Sequence, residues 1–208
     1  MQMTTRLVMI LVLGAVVASC GDVIEDAMDL RIGLFITPET KHQVVIDYRD
    51  GSGTNVYEMQ IGDELESAIA RAVKRVFRYA AVLESHPTSD MMIEQRLDLA
   101  VVADVNLGGA GMSYMRHGWK HEIEAERELS AELGIFTPEL KPLTTVTASG
   151  IGESSLSMVL LNPRKKVFTD TVKAAIDNLE DEIVWKMRTD SHIAGIFMAK
   201  PEETKTAK

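Results

Sequence analysis

The residues best suited to chemistry lie close together between positions 117 and 128. His117 and His121 are four residues apart, so they would share one face of either a helix or a strand. Glu122 and Glu124 follow, and imidazole and carboxylate groups are common zinc ligands. Against a metal site, the chain has no HExxH motif, and Gly118 disfavours a helix that would present both histidines. We interpret His117 and His121 as surface histidines, with a metal site as the alternative.

Glutamates alternate with apolar residues from position 119 to position 133. The acidic positions are Glu122, Glu124, Glu126, Glu128 and Glu132, and the apolar ones are Trp119, Ile123, Ala125, Leu129, Ala131 and Leu133. This period of two predicts a strand, because a helix would scatter the glutamates around its circumference. One strand cannot surround Ca²⁺, which takes about six to eight oxygens, since alternate residues lie about 7 Å apart. We predict a solvated sheet face, with a binding surface for a basic protein partner as the functional alternative.

No catalytic signature accompanies these residues. Residues 149–155 contain no GxSxG nucleophile motif, and the glycine-rich residues 106–113 lack the lysine and Ser/Thr of a phosphate-binding loop. Paired carboxylates are uninformative in a chain with 31 acidic residues. We therefore predict that the protein is not an enzyme and holds no metal or dissociable cofactor.

Cys20 is the only cysteine, and it ends an apolar segment at the start of the chain. Arg6 is the only charge before this segment, and residues 7–18 are fewer than the roughly 20 that span a bilayer. Residues 17–19, Val-Ala-Ser, are typical of a cleavage site. Together with Cys20 they resemble the lipobox of bacterial lipoproteins. The resemblance implies that residues 1–19 are a signal peptide and that Cys20 becomes the first mature residue, carrying diacylglycerol on sulfur and an acyl chain on nitrogen.

The same resemblance implies a location. In Gram-negative lipoproteins an aspartate directly after the cysteine favours the inner membrane, whereas this chain has Gly21 there and Asp22 next. We expect a lipid-anchored protein on the periplasmic face of the outer membrane, with the inner membrane as the alternative. Several acyl chains anchor durably, at about 0.8 kcal/mol per buried CH₂. Residues 20–29 would form a lipidated tether that spans at most roughly 30 Å.

The charge of the chain excludes one class of partner. Its formal net charge is −9, and removal of residues 1–19 would take away one arginine and no acidic residue. Such an acidic chain lacks the basic surface that nucleic acid requires. It also offers no polybasic attraction to anionic lipid, so the acyl chains alone would hold the membrane.

Two segments have helical periodicity. In residues 63–78, Asp63 and Glu66 match a capping box at the start of an amphipathic helix. A second helix is predicted from Thr169 or Asp170 to Met187. Its apolar stripe consists of Val172, Ala175, Ile176, Leu179, Ile183, Val184 and Met187. Trp185 lies off this stripe, which indicates either packing at the rim of the core or a partner surface.

The remaining apolar segments predict strands at 30–36, 80–85, 96–107, 119–133, 143–149 and 156–161, and a hairpin from 43–48 and 55–61. Residues 106–113 are predicted to be a flexible hairpin tip, and residues 150–152 a break between strands. This order favours one α+β domain at 30–198, a mostly antiparallel sheet with two long amphipathic helices packed on one face. Residues 199–208 are a predicted disordered tail.

The layout is similar in outline to the curli-secretion-channel lipoprotein family, a similarity that transfers no residue. We expect a non-enzymatic scaffold or accessory subunit of a cell-envelope assembly or transport machine, with a protein partner in the envelope. The alternative is a lipid or small-molecule carrier that uses an apolar cavity between the helices and the sheet.

Overall fold

The computed structural model describes residues 27–47, 57–117, 120–157 and 163–199. Cys20, the predicted signal peptide, Trp119 and residues 200–208 lie outside this part of the chain. The strands are β1 (Met28–Ile36), β2 (Val44–Asp47), β3 (Tyr57–Gln60), β4 (Phe77–Val82), β5 (Leu99–His117), β6 (Lys120–Phe136) and β7 (Pro142–Ser157). The helices are α1 (Pro38–Lys41), α2 (Gly62–Val76), α3 (Ser89–Glu94), α4 (Pro163–Thr189) and α5 (Ser191–Ala199).

The main sheet has five strands in the order β4-β1-β5-β6-β7. Strand β1 is parallel to both β4 and β5, whereas β5, β6 and β7 form long antiparallel pairs. Strands β2 and β3 form the predicted hairpin pairing, with Val44 opposite Gln60, as a separate sheet. The mixed class and the largely antiparallel character of the sheet are confirmed.

One aliphatic core lies between the main sheet and the helices. The alternate residues Leu30, Ile32, Leu34 and Ile36 of β1 belong to it, together with residues of β5, β6, β7, α2 and α4. Every residue of the apolar stripe predicted for the second long helix is buried in this cluster. A smaller cluster around Met92 of α3 covers the other face of the sheet near the start of β5. No helix within the described segments is long and apolar enough to cross a bilayer.

Two predictions based on glycine were wrong. Residues 106–113 are not a hairpin tip but part of β5, which continues to pair with β6 across an irregularity between Leu107 and Ala110. A β-bulge absorbs an extra residue without ending the strand. Likewise residues 150–152 do not interrupt β7, because Gly150 pairs with Leu129 and Gly152 with Arg127.

Gly150 and Gly152 are required by the packing of α4 on β7. A Cβ at Gly150 would overlap the carbonyl oxygen of Ala175, and one at Gly152 would overlap the carbonyl oxygen of Thr171. Glycine in a strand commonly marks such a close approach of another backbone. The two residues therefore allow the 27-residue α4 to lie directly on the edge strand of the sheet.

The predicted capping box of α2 is absent. Its N-cap is Ile61, which makes no side-chain capping bond. Glu66 instead forms an ion pair with Lys41 of α1 at 3.2 Å. The helix begins at Gly62, where a Cβ would overlap the carbonyl of Lys41, so the absence of a side chain there allows α1 to lie against the start of α2. At the other end, Phe77 is the first residue of β4 and not the last residue of the helix.

This packing predicts the effect of a single methyl group on stability. We expect Gly150→Ala to lower the free energy of unfolding by about 1–3 kcal/mol or more, because α4 must move away from β7. The matched control is Gly111→Ala in β5, whose added Cβ would meet nothing within 4 Å and should change stability by less than about 0.5 kcal/mol. Urea unfolding of the unacylated Cys20→Ser chain measures both. Equal effects of the two substitutions would contradict this account of the packing.

Candidate functional site

The glutamates of β6 lie on the face of the sheet opposite the main core. Odd-numbered residues from Ile123 to Ile135 point into the core, apart from Arg127, which is buried beside them. The even-numbered Glu124, Glu126 and Glu132 are exposed. The strand and its two faces, predicted from the period of two, are therefore confirmed.

Strand β7 adds an acidic residue that the sequence analysis did not identify. Glu153 pairs directly with Glu126, whose other neighbour is Gly111 of β5. Alternate residues of β7 from position 145 to position 155 are exposed, so the same period of two continues there. This continued alternation could have identified Glu153 from the sequence. The predicted break at residues 150–152 concealed it. We call Glu122, Glu124, Glu126, Glu128, Glu132 and Glu153 the acidic face.

The carboxylates of the acidic face form no ion pair with any side chain that the structure describes. The hydroxyl of Ser113 donates to Glu124 at 3.4 Å, and the amide of Gly109 donates to Glu128 at 3.5 Å, both long distances. Like charges directly opposite on neighbouring strands are destabilising, as at Glu126 and Glu153. This surface has a cost in stability that nothing within the described fold offsets.

Several neighbours of these carboxylates are small, although the exposed Ile151 pairs with Glu128. Gly111 of β5 and Ser149 and Ser155 of β7 occupy exposed positions, so the carboxylates beside them remain accessible. Another acidic side chain at the border, Asp104, is bonded within the fold, because it accepts from the hydroxyls of Thr37 at 2.7 Å and Thr40 at 3.3 Å. The acidic face is therefore an open surface that could contact the side chains of a partner.

The structure does not group metal ligands in the described part of the chain. No three His, Cys, Asp or Glu side chains there are placed so that they could hold an ion. The backbone register pairs Arg116 with His121 and His117 with Lys120 across the β5–β6 hairpin. Paired residues share a face, so His117 and His121 occupy positions on opposite faces of the sheet. The expectation that the two histidines share a face is wrong, because they lie on different strands of the antiparallel β5–β6 pair. The structure describes their backbone positions and not their side chains.

Trp185 is not part of the acidic face. It lies on α4, in the helical layer, with 56% of its surface exposed. The amine of Lys186 lies 5.0 Å from the centre of its ring, a cation–π contact. The proposed partner-surface residues thus belong to two separate surfaces.

A buried carboxylate joins the two long helices. Glu180 of α4 accepts hydrogen bonds from Arg71 at 2.6 and 2.9 Å and from Arg75 at 3.2 Å, both on α2. Arg75 also donates to Asp181 at 2.7 Å, and this bond, helped by Glu180, raises the pKa of Arg75 above its ordinary value. The basic residues in the last turn of α2, Lys74 and Arg75, complement its dipole. Arg71 and Arg75 also hold α4 through Glu180.

A cleft lies next to this contact. Its volume is about 450 Å³, and its lining residues are Asp63, Glu64, Ser67, Arg71, Lys173, Ile176 and Asp177. Almost all of these side chains are polar or charged. All seven residues belong to α2 and α4, so the cleft differs in position from the cavity between helices and sheet that the carrier alternative requires.

Comparisons with known proteins give a fold but no family. No protein-family model and no curated protein sequence matches this chain. A neuraminyllactose-binding haemagglutinin homolog from Helicobacter pylori has a similar structure, with a TM-score of 0.51 at 8% identity over 84% of this chain and 94% of that one. The two chains share a fold at this level.

The matched structures include proteins described as lipoproteins. A minor lipoprotein from Acinetobacter baumannii has a TM-score of 0.39 at 10% identity, covering 76% of this chain and 91% of that one. A lipoprotein from Caulobacter crescentus has a TM-score of 0.37 at 10% identity, covering 82% and 93%. Because both scores are below 0.5, neither match establishes a common fold.

The opposed glutamates predict a gain in stability on neutralisation. We expect Glu126→Gln to raise the free energy of unfolding by about 0.2–1 kcal/mol at low ionic strength, because it removes the repulsion with Glu153. Salt should reduce this gain by screening. The control is Glu58→Gln, an equal change of charge at an exposed residue that pairs with Ile46. Urea unfolding at two salt concentrations measures both, and a loss of stability in Glu126→Gln would contradict the expected repulsion.

Proposed function

We propose that this protein is a membrane-anchored, periplasm-facing lipoprotein that acts as a non-enzymatic accessory subunit of a cell-envelope assembly or transport machine. The anchor is acylated Cys20, supported by its lipobox-like context. Gly21 after this cysteine supports the outer membrane over the inner membrane. The similarity in layout to the curli-secretion-channel family remains a prediction.

The observation that carries the proposal is the acidic face. Glu126 and Glu153 are held opposite each other at a cost in stability, although a neutral residue in either position would fit an exposed strand. A partner that brings lysine or arginine side chains against these carboxylates would turn this repulsion into attraction. Complementary charges of this kind speed association and select the correct partner.

A protein partner fits this surface better than a small cation. The carboxylates are spread along two strands and do not converge on a point, whereas calcium needs converging oxygens. A row of cations on an extended or helical segment would meet them one by one. The partner should therefore present a basic segment along the direction of β6.

The carrier alternative retains one observation in its favour. The cleft between α2 and α4, at about 450 Å³, is within the size range of about 300–1,000 Å³ for small-molecule sites. Native mass spectrometry of the Cys20→Ser chain tests this alternative, since a bare protein mass would leave it without support.

In-cell crosslinking tests the proposed partner surface. A photo-crosslinking amino acid at Ser155, among the glutamates, should give a discrete adduct with an envelope protein. We expect Glu124→Gln, Glu126→Gln and Glu153→Gln together to lower the yield of this adduct about tenfold, since a few charge contacts contribute that much.

The control for this experiment keeps the same charge change elsewhere. Glu58→Gln, Glu94→Gln and Glu139→Gln remove three exposed carboxylates outside the acidic face and should leave the adduct unchanged. Equal losses in both triple variants would indicate an effect of net charge. No adduct at any position along β6 and β7 would rule out this face as the partner surface.

A further inference from the structure

Helix α5 closes one end of the core. Its first turn is fixed by Asp190, whose carboxylate accepts from the backbone amides of His192 and Ile193 and from the hydroxyl of Thr144 at the start of β7. Nine residues span about 13 Å, and α5 contacts both β7 and β1. Ile193 is fully buried in the main core, and Ile196 packs against it.

This closed end is also the end from which the tether would leave. Strand β1 begins there at Met28, which pairs with Phe77, the residue that directly follows α2. The last turn of α4 lies there too, because Arg188 donates to the carbonyl of Arg75 near the end of α2. We call this the tether end.

The last turn of α5 exposes two large apolar side chains, whereas the exposed Ser191 and His192 in its first turn are polar. The helix contains no Asp, Glu, Lys or Arg. Phe197 is 40% exposed and Met198 is 82% exposed. Exposed apolar clusters usually mark a surface that contacts a partner or a membrane.

Cations and an aromatic residue lie at the same end of the fold as α5. Lys74 and Arg78 flank the end of α2 and are exposed, as is Arg188 at the end of α4. Trp185 lies one turn before the end of α4, with its ring next to Lys186. Tryptophan beside basic residues is typical of the interface between lipid headgroups and acyl chains.

We propose that the tether end rests on the bilayer, with Phe197 and Met198 inserted at the boundary between headgroups and acyl chains. This inference rests on the proposed lipid anchor. From Cys20 to Met28 the chain reaches at most roughly 29 Å, so acylation would hold this end next to the membrane. Trp185 then lies at the headgroup level, where Lys74, Arg78 and Arg188 meet phosphate groups.

A bilayer explains these features better than a protein partner does. The apolar residues, the aromatic residue and the cations all lie where the short tether brings the domain to lipid. The acidic face lies on the opposite side of the sheet from α4, so it remains free for the proposed partner. An amphipathic surface of this kind penetrates the membrane by about 5–10 Å.

Two probes in the lipidated protein test this arrangement in vesicles of phosphatidylcholine, with and without brominated acyl chains. Trp119→Phe leaves Trp185 as the only tryptophan. Met198→Cys provides the only free thiol once Cys20 is acylated, and it carries an environment-sensitive fluorophore. We expect brominated lipid to quench the label at position 198 about twofold or more, and Trp185 measurably, because both lie at the boundary region.

The control label at Ile151→Cys occupies another exposed apolar position, on the sheet face away from α4, and should not be quenched. Flotation of the same samples distinguishes the proposed lipid anchor at Cys20 from the proposed membrane contact of the tether end. Vesicle-bound protein with an unquenched label at position 198 would overturn the membrane contact and leave the anchor intact. Protein that does not float would contradict both. If the emission of the label at position 198 shifts in native membranes but not in vesicles of pure lipid, α5 contacts a protein partner. That result would also overturn the proposed membrane contact.

Discussion

At Gly150 and Gly152 the backbone of α4 lies directly on the backbone of β7, with no side chain between them. This contact determines the layering of the molecule. It places a long helix on one face of the sheet and brings Glu180 to Arg71 and Arg75, so that α2 and α4 cover the core together. It also carries the end of α4 to the place where α5 closes the core. The opposite face, beyond the part covered by α3, is left with side chains that no helix covers.

The two faces of β6 follow from the same layering. Leu129, Leu133 and Ile135 contribute aliphatic surface to a core that also includes residues of β1, β5, β7, α2 and α4. Burial of such side chains contributes about 1.5–3 kcal/mol each, well above the repulsion between exposed glutamates on the other face. The fold can therefore maintain an unfavourable charge pattern on its open side. We interpret the stability of the core as the reason why the acidic face can carry repelling glutamates that would bind a partner.

The parts predictable from sequence are those governed by simple periodicity. The alternation in β6 identified the strand and its buried face, although Glu, Ala and Leu individually favour helix. The stripe from Val172 to Met187 identified the buried side of α4. Glycine was the main source of error, because a local pattern cannot distinguish a turn from a bulge or a close backbone approach. Thus residues 106–113 and Gly150 were assigned to loops, and Glu153 was missed as a member of the acidic face.

Other features depend on tertiary contacts that leave no local pattern. The close approach of Lys41 to Gly62 at the start of α2 is one of them, and α5 has no amphipathic period that would reveal it. In the proposed function, acylated Cys20 anchors the protein. The tether end then contacts the membrane, and the acidic face contacts a protein partner. Intact-mass spectrometry of the protein extracted from its native membrane tests this account most directly. We predict a chain that begins at Cys20 and carries the mass of diacylglycerol and an N-linked acyl group; a chain with residues 1–19 still attached and an unmodified thiol would contradict it.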